Sequence, residues 1–366
     1  MMKADGRIVQ ILSILVSQDT RSKYKRESNL KSQLTTILTE SGFDTEVVLT
    51  DSRPNILADN RKAGKAILFY GHIDTVDAVS GWTKDPFKLL IEGHKAYGLG
   101  AYDMKGGMAA FLTTIKNTKK HVKVMLAVDE ENISAGAWDI AEKQKSFFDD
   151  VEIAVSAEPN FGLGMHGITI GRTGRVIFNV VSVGKPVHIA KFRDGLNAIY
   201  PLADFIGNLK NKKIGVDKMT VVQPRSVHSE VVGMSLCEMA EVDIEVLLGG
   251  DDNIDDVREK LQSVASESGE NIKVKLAPRV TPYLTGYRFE KFPYQDEISK
   301  IIEKFTNEKM KLCERSSVGD DNVIASLGIP IITWGPDGGG AHEADEWVDL
   351  KSLQMLTNMY KALIES

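Results

Sequence analysis

Apolar residues recur at helical spacing near the start of the chain, at Ile8, Ile11, Leu12 and Leu15. A second such run, Leu30, Leu34, Ile37 and Leu38, stops near Gly42. Shorter apolar runs then read as buried strands: Ala66 to Tyr70, Val122 to Val128 and Ile153 to Val155. Helical spacing lies between them, as in Gly107 to Asn117. Strands alternating with helices predict a largely parallel or mixed sheet covered on both faces. After Gly171 the pattern changes. A strand over Arg175 to Val183 is followed by a helix over Asn197 to Lys210. Two strands come next, Met219 to Gln223 and Glu238 to Leu248, then a helix over Ile254 to Ser266 and a strand over Asn271 to Leu276. That order, β-α-β-β-α-β, is the split pattern of a small α+β domain. The first pattern then returns, with a strand over Ile329 to Thr333 and a last helix from Leu350. The fold class predicted is therefore α/β. A discontinuous domain, residues 1–171 and 279–366, carries a mixed sheet between helices. An α+β, ferredoxin-like domain, residues 172–278, is inserted into it.

A chain of 366 residues exceeds the usual size of one core, which agrees with two domains. The net charge of −6 argues against nucleic acid as the main partner. No run of about 18 apolar residues offers a membrane span, and the first twenty residues lack the pattern of a secretory signal. Two cysteines, Cys237 and Cys313, make no disulfide framework; both read as buried thiols of a reducing, cytoplasmic compartment.

The residues that carry chemistry sit where the predicted strands end. The strand Ala66 to Tyr70 delivers Gly71-His72-Ile73-Asp74, at the end where open α/β sheets place their sites. Residues two apart on an extended segment share a side, so His72 can bind a metal while Asp74 orients its ring or a neighbouring group. Gly98-Leu99-Gly100-Ala101-Tyr102-Asp103-Met104-Lys105-Gly106-Gly107 is a glycine-rich loop before a helix. Its Asp103 has two oxygens, enough to bridge two cations. After the next strand come Asp129-Glu130-Glu131, adjacent acids that repel one another unless cations or protons offset them. Glu131 reads as a metal ligand and Glu130 as an unbound general acid/base. Glu158 ends another strand and is held extended by Pro159. His342 follows Trp334-Gly335-Pro336-Asp337-Gly338-Gly339-Gly340-Ala341. Three successive glycines imply a close backbone approach or a mobile loop. A phosphate-cradling loop is disfavoured, because no Lys-Ser/Thr pair follows.

Each residue alone has an ordinary surface or capping role. Their conjunction does not. Two imidazoles and three carboxylates at five strand ends suit two divalent ions, zinc or cobalt, better than calcium or magnesium. With Asp103 shared, each ion receives one His, one further carboxylate and the bridge, which points to metal-assisted hydrolysis with water as nucleophile.

With these motifs in place, the chain resembles the zinc-dependent aminoacylase and carboxypeptidase family that includes acetylornithine deacetylase and succinyl-diaminopimelate desuccinylase. The resemblance rests on Gly71-His72-Ile73-Asp74-Thr75-Val76, the Gly98 to Gly107 loop, Asp129-Glu130-Glu131, Glu158-Pro159 and Ala341-His342, and it spans nearly the whole chain. It implies that His72 and Glu158 bind one metal, that Glu131 and His342 bind the other, and that Asp103 bridges. It implies Glu130 as general base and Asp74 as the residue that orients His72. It also implies that the inserted domain serves as lid and homodimer surface, and that His188, in Val187-His188-Ile189, donates a hydrogen bond to the transition state. Two departures stand out. The family's lid Asn and strand-end Arg have no counterpart in Gly233 to Ala240 or Glu245 to Leu248. Arg172, Arg193 and Arg288 are the candidate replacements. In addition, Glu343-Ala344 stands where Thr-Pro is frequent.

The expected function is hydrolysis of the amide bond of an N-acyl amino acid, as in amino-acid biosynthesis. The alternatives are a metallo-exopeptidase acting on di- or tripeptides or C-terminal residues, and release of lysine or ornithine from an amino-group carrier protein. A non-catalytic metal-binding protein is disfavoured because Glu130 and all five ligand positions are present. A nicotinamide-dependent dehydrogenase is disfavoured because no Gly-x-Gly-x-x-Gly with a following acid occurs.

Overall fold

The computed structural model describes residues 5–366. The chain divides into two compact units. The first comprises the described residues up to Ile170 together with Phe289–Glu314 and Gly319–Ser366. The second comprises Gly171–Arg288 and Arg315–Val318. The second unit ends later than residue 278 because Tyr287–Arg288 forms a short strand paired with Arg172 and Gly171.

The first unit is built on a mixed sheet. Its centre is parallel, in the spatial order Val122–Ala127, Ala66–His72, Val151–Ser156, Ile331–Thr333. The first three of these strands are fully or largely buried apolar runs, as a sheet covered on both faces requires. Gly167–Arg172 lies antiparallel to Ile331–Thr333, where Thr169 pairs with Thr333. On the other side Arg53–Asp59 pairs antiparallel with Val122–Ala127, and Asp44–Thr50 completes a hairpin with it. The sequence reading missed this hairpin. Its turn residues, Asp51 and Ser52, both adopt positive φ (48° and 66°), the geometry a two-residue hairpin needs, but without the glycine that usually signals it.

The helices follow their apolar spacing. Leu350–Glu365 buries Leu353, Leu356, Tyr360 and Leu363, and Asp349 caps it by accepting from the N–H groups of Lys351 and Ser352. It packs against Gly106–Thr114, which also packs on Gly6–Val16 and on strand Ala66–His72. Burying each leucine or isoleucine fully contributes about 1.5–3 kcal/mol.

The second unit is a four-stranded antiparallel sheet in the order Val221–Glu230, Met239–Leu248, Gly174–Val183, Ile272–Leu276. Helices Ile199–Leu209 and Ile254–Ser268 pack on its inner face, around Phe178, Val180, Phe205, Val242, Ile244 and Leu261. The β-α-β-β-α-β order is as read. The second strand in chain order, expected to end at Gln223, however, continues to Glu230. Residues beyond Pro224 are all exposed and, apart from Val227, polar, and the register slips between Pro224 and Ser226. An edge strand exposed on both faces has no alternation to read, and a proline at a bulge conceals its continuation. Cys237 is buried; Cys313 is half-buried rather than buried, and both are free thiols. Among the described residues no helix is long and apolar enough to cross a membrane.

Candidate metal centre

The parallel strands share one direction, so their C-terminal ends deliver His72, the 129–131 turn, Glu158 and the 335–342 loop to the same edge of the first unit. Ligand atoms of His72, Glu130 and Glu158 lie within 4.8 Å of one another, and those of Asp103, Glu131 and His342 do likewise. Asp103 joins the two groups. Its Oδ1 is 3.4 Å from His72 Nε2 and its Oδ2 is 3.5 Å from His342 Nε2. His342 Nε2 is also 3.3 Å from Glu131 Oε2.

These separations are long for charge-assisted hydrogen bonds, which run about 2.7–2.9 Å. They match the edge of a tetrahedron: two donors each about 2.0–2.1 Å from a zinc-sized ion stand about 3.3 Å apart. Two further observations fit divalent cations. Glu131 Oε1 is buried without a hydrogen-bond partner. The carboxylates also hold both imidazoles toward the charged form. The facing carboxylates of Asp103 and Glu131 raise His342 to about 10. For His72, burial opposes the charge, but Asp103, Glu130 and Asp74 outweigh it and raise it well above the usual range. A field that favours imidazolium favours a metal ion in its place. Burial raises Glu130, and the neighbouring Glu158 and Glu131 raise it further, with His72 opposing.

His72 Nδ1–H donates to the backbone carbonyl of Asp74 at 2.9 Å. A carbonyl only accepts, so Nδ1 carries the proton and Nε2 keeps the lone pair for a metal. The Asp74 carboxylate is 3.8 Å from Nδ1. It accepts instead from the N–H groups of Glu130 (3.3 Å) and Glu131 (3.2 Å). The His72 ring thus bonds the Asp74 main chain, while the Asp74 side chain holds the acidic turn.

Glycine is required where the last loop passes Glu158. A Cβ on Gly335 would lie 1.8 Å from the Glu158 carbonyl oxygen. The three glycines at 338–340 serve a close approach: Gly338 faces the Tyr102 ring, Gly338–Gly339 pairs with Trp347–Asp349, and Gly340 has φ +75°.

His188 belongs to the second unit. It is exposed, precedes the turn Ile189–Asp194, and its Nδ1 accepts from the Ala190 N–H. Of the three arginines considered for substrate binding, Arg288 is engaged with Asp251, at 2.7 Å to each carboxylate oxygen. Arg172 is buried, and Arg193 lies against the Phe192 ring.

Sequence reasoning missed several supporting residues. Buried Arg53 donates to Asp129 at 2.7 Å and lies 3.6 Å from buried Glu27, bracing the turn that carries Glu130 and Glu131. Burial raises Glu27 to about 7. Tyr70 donates to Asp320 at 2.8 Å, and burial raises that carboxyl to about 7. Nothing in the local sequence marks these residues, because their partners are distant along the chain.

The model of "Peptidase family M20/M25/M40" matches residues 68–366. The chain belongs to this family. It is a hydrolase acting on amide or peptide bonds, and the family's dinuclear members together with the two ligand groups support divalent metals here. A succinyl-diaminopimelate desuccinylase of Nitratiruptor is 24% identical over 314 residues, covering 83% of this chain and 85% of its own. The aminopeptidase PepT of Bacillus cereus has the same fold, with a TM-score of 0.79 and 20% identity over 98% of this chain and 97% of its own. A dinuclear metal-binding M20 peptidase of Bacillus subtilis gives a TM-score of 0.72 at 17% identity, over 98% and 96% of the two chains.

Proposed function

We propose that the chain hydrolyses the amide bond of a small N-acyl amino acid at a centre of two divalent ions. The observation that carries the reading is the Asp103 carboxylate, one oxygen turned to His72 and the other to His342. His72 and Glu158 would hold one ion, Glu131 and His342 the other, and Asp103 both. Bound there, the ions supply Lewis acidity toward water and the substrate carbonyl. Glu130 takes a proton from the attacking water as its oxygen bonds to the carbonyl carbon. It returns that proton to the nitrogen as the C–N bond breaks, leaving a carboxylic acid and an amine, between which the acid proton then passes to give carboxylate and ammonium. Asp74 holds the turn that presents Glu130. His188 is the proposed donor to the carbonyl oxygen as charge develops on it.

The desuccinylase relatives support an N-acyl amino acid as substrate. The likeness to an aminopeptidase supports short peptides as a second class. Zinc or cobalt as the ions, a cytoplasmic location and a homodimer formed through the second unit are parts of the same proposal; metal analysis, fractionation and sedimentation velocity of the intact chain check them. The substrate is tested by a hydrolysis screen of metal-loaded protein against N-acetyl-ornithine, N-succinyl-diaminopimelate, other N-acyl amino acids, dipeptides and glutamyl-lysine conjugates. Turnover of N-acyl amino acids that a chelator abolishes is the expected result. Turnover confined to peptides would overturn the substrate, and chelator-resistant turnover would overturn the metal centre.

A further inference from the structure

One buried acid outside the proposed ligand set ties two of the ligand loops together. Glu346 is 1% exposed. Its Oε2 accepts from the Gly100 N–H at 2.7 Å, and its Oε1 accepts from the N–H groups of Tyr102 and Asp103, both at 2.9 Å. Its own carbonyl accepts from the Gly98 N–H at 3.0 Å. The 98–103 loop is therefore wrapped around a single carboxylate. Gly100, with φ +74°, supplies the turn that aims its amide inward. Glu346 also lies just past His342, directly before strand Trp347–Asp349: Trp347 pairs with Tyr97 on one side and Gly339 on the other. One side chain thus fixes the loop of Asp103 from within the segment that carries His342.

We propose that Glu346 is a positioning residue for the metal centre, holding the Asp103 carboxylate with its two oxygens divided between the two ions. The physical reason is geometric. Asp103 can bridge only if its backbone is held against rotation, and three main-chain N–H bonds to one buried carboxyl group supply that constraint. The inference rests on the two-metal reading above.

The test is zinc binding by the intact protein, measured against competing chelators, for the wild type, Glu346→Ala and Glu346→Gln. In Glu346→Gln the side-chain oxygen can still accept from Tyr102 and Asp103, while its NH2 meets the Gly100 N–H donor against donor. Wild type is expected to take up two zinc ions. Glu346→Ala is expected to bind at least one of them about 10–100-fold more weakly, with Glu346→Gln intermediate. Excess zinc should restore kcat with KM unchanged, a recovery that general loss of stability would not give. If the alanine variant does not fold, the glutamine variant decides. Wild-type zinc affinities in the folded variants would overturn the proposal. Failure of the wild type to bind two ions would overturn the metal reading itself.

Discussion

Glu130→Ala is expected to lower kcat by about 10²–10⁴-fold while the folded protein keeps both metal ions. The Glu130 carboxylate lies in one group with His72 and Glu158. Proximity alone would make it a ligand. Asp103, however, already offers an oxygen to each imidazole, so on the proposed assignment each ion would have three protein donors without Glu130. A base acting on water beside those ions has to stand within hydrogen-bond reach of that water, which the same proximity provides. Metal analysis separates the roles: loss of one ion equivalent from the variant would make Glu130 a ligand, and undiminished turnover of the metal-replete variant would remove it from the chemistry. His188→Ala should behave differently from a ligand substitution as well. It is expected to lower kcat by about 10²–10³-fold, the effect of losing one oxyanion donor, with metal content unchanged.

Gly335→Ala is expected to be as damaging, although no chemistry is removed. The added Cβ would stand 1.8 Å from the Glu158 carbonyl oxygen and 2.6 Å from its carbonyl carbon. Both are backbone atoms, so relief requires moving the strand end that presents Glu158, by about 1 Å or more. A displacement of that size at a reacting centre costs about 10²-fold in rate, and overpacking costs about 1–3 kcal/mol in stability. The checks are kcat/KM, zinc affinity and the urea midpoint. Gly207→Ala is the control. It lies within helix Ile199–Leu209 with nothing inside 4 Å of the added Cβ, and should gain up to about 1 kcal/mol. A Gly335→Ala protein with wild-type rate and zinc affinity would show that the loop yields without disturbing Glu158.

What was legible in the chain and what was not divides along physical lines. The buried parallel strands and the long terminal helix announced themselves because each buries its apolar residues with a local period. Their ends carried His72, Glu131 and Glu158 in view, since an apolar run that stops at an acid or imidazole is a local signal. The hairpin Asp44–Asp59 escaped because Asp51 and Ser52 adopt positive φ without glycine. The edge strand Val221–Glu230 ran past its expected end because exposure on both faces erases alternation.

By itself the sequence determined the fold class and the order of elements in the inserted unit, and it set candidate ligands at the strand ends, all consequences of side-chain type and short-range spacing. Only the tertiary structure decided which of those residues meet. The gathering of Asp103 between His72 and His342, the transfer of the Asp74 carboxylate from the imidazole to the acidic turn, the brace of Arg53 on Asp129 and the capture of the 98–103 loop by Glu346 all join residues far apart in the chain. Such contacts depend on which strand lies beside which and on where loops cross. Hydrogen bonding acts over about 3 Å of space, a distance that sequence separation does not encode.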